Sequence, residues 1–102
     1  MEITTEELKS KINNGESVMV AFTASWYGPC KMYKPLFNKI AETSEMSMYI
    51  MDVEKNQDYA VELGIRAVPT TKAFNNGGEV FSKPGMLSEM ELKGLIKNII
   101  NG

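Results

Sequence analysis

The chain contains a single cysteine, Cys30, and no histidine. A lone thiol can form a mixed disulfide with an external thiol, but it cannot close a disulfide within its own chain. Without histidine, the chain has no Cys-His pair to activate that thiol, and it lacks the commonest metal ligand. The carboxylates of Asp52, Glu54 and Asp58 do not have the spacing of a metal-binding loop, so we expect them to be solvated. The residue types therefore predict that any chemistry depends on this one thiol, and we expect no metal site and no cofactor.

Two interpretations of Cys30 are open. A cysteine with a depressed pKa and an accessible sulfur reacts with disulfides, which would make Cys30 a reactive monothiol. A free cysteine can also be a small buried apolar residue without chemistry of its own. The second interpretation is favoured, because Cys30 lies one turn into a predicted helix and behind Pro29, not at the helix tip.

Size and composition are typical of one small globular domain. The 102 residues are enough for one modest core, and 43% of them are apolar and 24% charged. The net charge is −2, so the chain does not have the excess of basic residues that is typical of a nucleic-acid-binding protein. No stretch approaches the roughly 18 apolar residues of a membrane span, and the acidic start at residues 1–7 does not resemble a signal peptide. We therefore expect one domain over residues 1–102, in a cytoplasmic monomer that contacts neither nucleic acid nor membrane.

Hydrophobic spacing and turn signals predict eight elements in the order α-β-α-β-α-β-β-α. Short continuous apolar runs are typical of buried strands, and apolar residues three and four apart are typical of helices. The predicted elements are a helix after the Thr4 cap, a strand over 18–22, a helix over 29–45 with Pro35 inside it, a strand over 48–53, a helix over 57–63, strands over 70–74 and 79–82, and a helix after the Ser88 cap. The order favours an α/β domain with a parallel crossover first and an antiparallel hairpin last.

The methionines and lysines have simple structural interpretations. The core faces of these elements are predicted to include Met32, Met46, Met48 and Met51. The lysines of the second helix, Lys31, Lys34 and Lys39, are predicted to form its solvated face.

The segment Trp26-Tyr27-Gly28-Pro29-Cys30-Lys31, directly after the first predicted strand, resembles the active-site loop of the thioredoxin family, which reads Trp-Cys-Gly-Pro-Cys-Lys. Further segments match that family in order and without large insertions: 20–25, Pro35, 64–70 with Pro69 at the position of the family's cis-proline, 76–78, and Gly85. The resemblance covers essentially the whole chain. It implies a thioredoxin fold, with a central mixed β-sheet flanked by helices.

The resemblance also implies that the family's catalytic cycle is broken in this chain. The first cysteine of the loop attacks a substrate disulfide in the family, and the second cysteine resolves the mixed disulfide. Tyr27 stands at the position of the nucleophile, and Cys30 matches the resolving cysteine. A tyrosine hydroxyl cannot attack a disulfide, so one chain cannot complete the two-cysteine cycle. Two further departures are Ala21, where the family usually buries an acidic residue, and Ile50, where a lysine often accompanies that acid.

The resemblance places a partner-binding groove around the same loop. The residues expected to line this groove are Trp26, Gly28, Pro29, Val68, Pro69 and Gly85. A partner's extended segment would pair with the backbone beside the cis-proline as an added strand does. Tyr27 is either a recognition residue at this surface or only a replacement for the lost cysteine, and both interpretations are open.

The favoured hypothesis is a redox-inactive protein that binds a protein partner, or an extended peptide segment, through the groove around Trp26, Tyr27 and Pro69. One alternative is a monothiol oxidoreductase in which Cys30 exchanges with glutathione or a protein thiol. Another is a variant of an ordinary protein-disulfide reductase that has acquired Tyr27. Iron–sulfur cluster binding by a dimer is disfavoured, because families of that kind place their cysteine at the first position of the loop. The family implies protein-disulfide reductase activity, and these residues do not support it.

Overall fold

The computed structural model describes all 102 residues. Its elements are α1 (Thr5–Asn13), β1 (Val18–Thr23), α2 (Gly28–Ala41), β2 (Ser47–Asp52), α3 (Gln57–Glu62), β3 (Thr70–Asn75), β4 (Gly78–Pro84) and α4 (Glu89–Asn101). The order of helices and strands agrees with the prediction from the sequence. None of the helices has the length and apolar character needed to cross a bilayer.

The four strands form one mixed sheet in the order β2-β1-β3-β4. The crossover through α2 makes β1 and β2 parallel, whereas β3 is antiparallel to both β1 and β4. The β3–β4 hairpin turns at Asn76 and Gly77, whose φ angles are 55° and 88°. A two-residue turn with both residues in the left-handed region matches the twist of a hairpin, and asparagine and glycine adopt it most readily. The predicted hairpin is confirmed.

Helices cover both faces of the sheet, so all six residues of β1 are buried. One face packs against α2 and α4, in a cluster that includes Met19, Ala21, Tyr33, Phe37, Leu92 and Ile96. The other face packs against α1 and α3, in a cluster that includes Leu8, Val18, Val20, Phe22 and Tyr59. Burial on both faces explains why the sequence of β1 is a continuous apolar run instead of an alternating one. The predicted α/β class, with a central mixed sheet flanked by helices, is confirmed.

The first and last helices begin at the predicted caps, Thr4 and Ser88, and each cap is part of a capping box. The Thr4 side chain accepts a hydrogen bond from the Glu7 backbone N–H at 3.2 Å, and the Glu7 carboxylate accepts one from the Thr4 N–H at 3.0 Å. Ser88 and Glu91 repeat this exchange at 3.1 and 3.0 Å. The bond from the Thr4 backbone lowers the pKa of Glu7, and the bond from the Ser88 backbone lowers that of Glu91, because both bonds stabilise a charged carboxylate.

Two predictions on α2 are wrong. The helix ends at Ala41 and not near residue 45. Met32 is exposed, whereas the other methionines predicted in the core, Met46, Met48 and Met51, are buried. The buried stripe of α2 consists of Cys30, Tyr33, Phe37 and Ile40. Met32 lies two positions from Cys30, and residues two apart on a helix do not share a face.

Asp52 is also placed differently from its prediction. Its carboxylate is buried at the end of β2 and is not solvated, whereas Glu54 and Asp58 are exposed as expected. The Asp52 Oδ1 accepts hydrogen bonds from the backbone N–H groups of Glu54 at 2.8 Å and Lys55 at 3.4 Å. Asp52 therefore closes the turn that follows β2, a local role that short acidic side chains often have.

Candidate functional site

The loop after β1 is held at one end of the sheet. β1 ends at Thr23, and α2 begins at Gly28 with Tyr27 as its N-cap, at φ −93° and ψ 126°. The Tyr27 side chain makes no capping hydrogen bond. Pro29 occupies the first turn of the helix, where its fixed φ fits and its missing N–H costs nothing. The loop therefore presents residues 26–29 beyond the carboxyl end of β1.

Trp26 and Tyr27 are exposed aromatic side chains on this loop. Their accessible fractions are 65% and 39%. The two ring centroids lie 5.7 Å apart with an interplanar angle of 66°, an edge-to-face arrangement. Aromatic pairs prefer this geometry, and exposed aromatic rings are enriched where proteins bind partners. The first turn of α2 contains no acidic residue, and Lys31 is exposed beside it.

Cys30 is fully buried beneath the loop. Its sulfur accepts a hydrogen bond from the backbone N–H of Ala24, with 3.4 Å between nitrogen and sulfur. An external disulfide could reach this sulfur only if the residues around it moved. The prediction that Cys30 behaves as a small buried apolar residue agrees with this placement.

Ala21 and Ile50, the positions at which the family resemblance places a buried acid and its lysine, are partners in register across β1 and β2. Both are buried in the apolar cluster under α2. On the other side of Ala21, its register partner in β3 is Thr71. The Thr71 hydroxyl pairs with the Tyr33 phenol at 2.7 Å. Burial raises the pKa of Tyr33, so the phenol stays neutral at ordinary pH.

The Val68–Pro69 peptide bond is cis and lies at the same end of the sheet. Phe22, near the end of β1, is the register partner of Thr70, which follows Pro69 and begins β3. The backbone N–H of Gly85, after β4, donates to the Pro69 carbonyl at 2.8 Å. Gly85 has a φ of 92°, which a residue with a side chain rarely adopts.

The fold therefore brings the predicted site residues together where β1 ends and β3 begins. We call this surface the cis-proline groove and define it by Trp26, Tyr27, Gly28, Pro29, Val68, Pro69 and Gly85. Pro69 is buried, Pro29 and Val68 are partly exposed, and the other members are exposed. No group of three or more acidic, cysteine or histidine side chains is arranged to hold a metal ion.

The sequence does not predict two features of this part of the structure. The Thr23 hydroxyl, at the end of β1, is buried without a hydrogen-bond partner. No sequence signal distinguishes it from a threonine whose hydroxyl is satisfied. The exposure of Met32 differs from its predicted burial, because its apolar character fits a helical stripe; its offset from Cys30 is the signal against burial.

The chain is similar to known proteins along most of its length. Residues 1–98 match the family model described as Thioredoxin. The thioredoxin of Malassezia sympodialis is 37% identical over 78 residues, which cover 74% of each chain. The thioredoxin of Porphyra purpurea is 33% identical over 103 residues, covering 98% of this chain and 96% of the relative. Among solved structures, a point-mutant thioredoxin from Halobacterium salinarum NRC-1 superimposes with a TM-score of 0.87 at 33% identity, covering 96% of this chain and 87% of the other.

Proposed function

The chain belongs to the thioredoxin family, and we propose that it is a member that does not perform dithiol exchange and instead binds an extended protein segment in the cis-proline groove. One observation carries the proposal. The only thiol of the chain is enclosed beneath the loop, and the N-cap position at the mouth of the groove holds the phenol of Tyr27.

The loss of dithiol chemistry follows from this arrangement. A thiol at the start of a helix is activated by the helix dipole and by exposure, and Tyr27 has no sulfur to activate. Ala21 and Ile50 place no ionisable group between β1 and β2 under the loop. An apolar pair at these positions is compatible with a core that no longer transfers protons to a thiol.

Binding is supported by the surface that remains around the loop. Trp26 and Tyr27 expose large rings that can be buried by a partner with little loss of side-chain entropy. Val68 is partly exposed next to the cis bond, where the backbone of an extended segment could pair as an added strand. Aromatic anchors beside a backbone edge suit recognition of an extended peptide.

The deciding experiment compares the native protein with Tyr27→Cys in turnover of a model protein disulfide by an excess of dithiol. We expect no rate above the dithiol background for the native protein, and clear turnover for Tyr27→Cys. Tyr27→Ser is the matched control, since it opens the same space without a thiol. Turnover by the native protein above background would overturn the proposal and favour Cys30 as a monothiol. An inactive Tyr27→Cys variant would show that more than one position separates this chain from a reductase.

A further inference from the structure

The eight methionines of the chain fall into two groups by exposure. Met19, Met46, Met48 and Met51 are buried. The exposed group is Met1, Met32, Met86 and Met90, and the last three are 69%, 42% and 83% accessible. The only cysteine is in the buried class. The oxidisable sulfur that solvent can reach is therefore thioether sulfur, not thiol sulfur.

Met32 lies beside the cis-proline groove on the surface of α2. Gly28 and Pro29 are four and three positions before it, so Met32 is a neighbour of each of them on the helix surface. Side chains on a helix lean towards its N-terminus, so the Met32 side chain is directed towards the turn that contains Gly28 and Pro29. Gly28 has no side chain, and a Cβ built there would meet no atom within 4 Å. Met32 is therefore an exposed thioether on the helix surface next to the groove residues Gly28 and Pro29.

Met86 approaches the groove from the side of the cis-proline. It follows Gly85, whose N–H is bonded to the Pro69 carbonyl. The next residue, Leu87, is buried in the same cluster as Tyr33, and its backbone lies beside the Tyr33 phenol. The segment that carries Met86 therefore packs against the first turns of α2.

Met90 provides a contrast within the same structure. It follows Glu89 on α4, and Glu89 pairs with Lys39 in the last turn of α2 at 3.5 Å. Lys39 lies at the opposite end of α2 from Gly28. Met90 is thus more exposed than Met32 but lies away from the groove.

We propose that Met32 and Met86 form a peroxide-sensitive modification site that controls docking in the cis-proline groove. Hydrogen peroxide transfers one oxygen atom to each thioether sulfur, which becomes a sulfoxide, and the peroxide is reduced to water. The sulfoxide is strongly polar, so an apolar border of the groove becomes hydrated and binds an apolar segment less well. A methionine sulfoxide reductase supplied with a thiol reductant would reverse the change. The effect on docking rests on the proposed function, whereas the modification itself does not.

The modification is tested on the native protein with hydrogen peroxide, followed by proteolysis and peptide mass analysis. We expect Met32 and Met86 to gain one oxygen each at a rate close to that of Met90. The four buried methionines should react at least about tenfold more slowly, because oxidation follows exposure. Protection of Met32 or Met86 to the level of the buried group would overturn the proposal.

Docking is tested in a variant that carries both Tyr27→Cys and Cys30→Ser, and therefore one thiol at the groove. Its rate of mixed-disulfide formation is measured with an extended peptide that carries an activated cysteine, and with a small aromatic disulfide. The ratio of the two rates reports docking of the peptide separately from reactivity of the thiol. Peroxide is applied while the thiol is protected as a mixed disulfide with a small thiol, which is then removed by reduction.

Oxidation should lower this ratio about threefold or more, as expected when a polar group replaces an apolar contact. Adding Met32→Leu and Met86→Leu should make the ratio insensitive to peroxide, whereas adding Met90→Leu should leave the sensitivity in place. A ratio near that of an unstructured thiol before oxidation would contradict docking of the peptide by the groove residues other than Tyr27, and with it the effect proposed for Met32 and Met86. A high ratio that peroxide does not change would contradict only the methionine site.

Discussion

The Tyr33 phenol on α2 and the Thr71 hydroxyl on β3 meet at 2.7 Å in the buried layer between helix and sheet. Both side chains are fully buried. Thr71 lies in register with Ala21, so this neutral pair stands beside the position at which the family resemblance places a buried acid. The two hydroxyls satisfy each other, so this pair adds polar groups to the core without adding charge.

Removing one member of this pair should destabilise the fold. Tyr33→Phe leaves the Thr71 hydroxyl buried without its partner, at a cost of about 1–3 kcal/mol in the free energy of unfolding. Thr71→Val should also destabilise the protein, because it strands the phenol. The double variant should lose less than the sum of the two single losses. Urea unfolding of the four proteins measures this, and strict additivity would show that the pair is not coupled.

The same phenol predicts a dependence of stability on high pH. Burial raises the pKa of Tyr33 above its ordinary value of 10.0, so the folded state holds the phenolic proton more tightly than the unfolded chain does. The stabilisation is fully present below the unfolded pKa and is lost as the pH rises through the folded pKa. Unfolding free energy should therefore fall above about pH 10. Burial also raises the pKa of Tyr59. Tyr33→Phe should therefore weaken the dependence of stability on high pH without abolishing it.

The buried hydroxyl of Thr23 should cost stability. Its oxygen has no partner, and an unsatisfied buried hydroxyl is unfavourable by about 1–3 kcal/mol on mutational scales. Thr23→Val keeps the shape and removes the oxygen, so we expect a higher midpoint of urea unfolding. Thr23→Ser is the control, because it keeps the hydroxyl and removes a methyl, and it should lower the midpoint. A loss of stability in Thr23→Val would mean that the hydroxyl is satisfied in solution.

Cys30 should resist thiol reagents while the protein is folded. Its sulfur is enclosed and accepts the Ala24 N–H, so alkylation requires an opening of the structure. We expect a rate about a hundredfold or more below that of the same thiol in urea, since burial in a stable core suppresses opening. The variant with Tyr27→Cys and Cys30→Ser should react rapidly without urea. Equal rates for the folded native protein and a free cysteine would instead identify Cys30 as an accessible monothiol.

The sequence contains strong signals for the local elements of this fold. Thr4 with Glu7, and Ser88 as a cap, predict helix starts because the capping side chain and the backbone that it bonds are neighbours in the chain. The predicted burial of Met32 is wrong because the stripe of apolar residues on α2 is wider than the face that is buried. The pairing of Ala21 with Ile50 depends on the register of two strands joined by a long crossover, and no local signal encodes it.

The register of Ala21 and Ile50 leads to the sharpest test of the core beneath the loop. Ala21→Asp would bury a carboxylate among apolar side chains, so its folded pKa should rise and the variant should lose about 3–5 kcal/mol at neutral pH. A raised carboxyl pKa means that the loss shrinks as the pH falls and the group is protonated.

Ala21→Asn is the matched control for this test, because it adds a similar volume without charge and its cost should not vary with pH. Adding Ile50→Lys to Ala21→Asp should recover part of the stability at neutral pH, since the two side chains are direct partners across β1 and β2. Urea unfolding at pH 7 and pH 5 separates these cases. An Ala21→Asp variant as stable as Ala21→Asn at both pH values would mean that water reaches this position, and that the core under the loop is not dry.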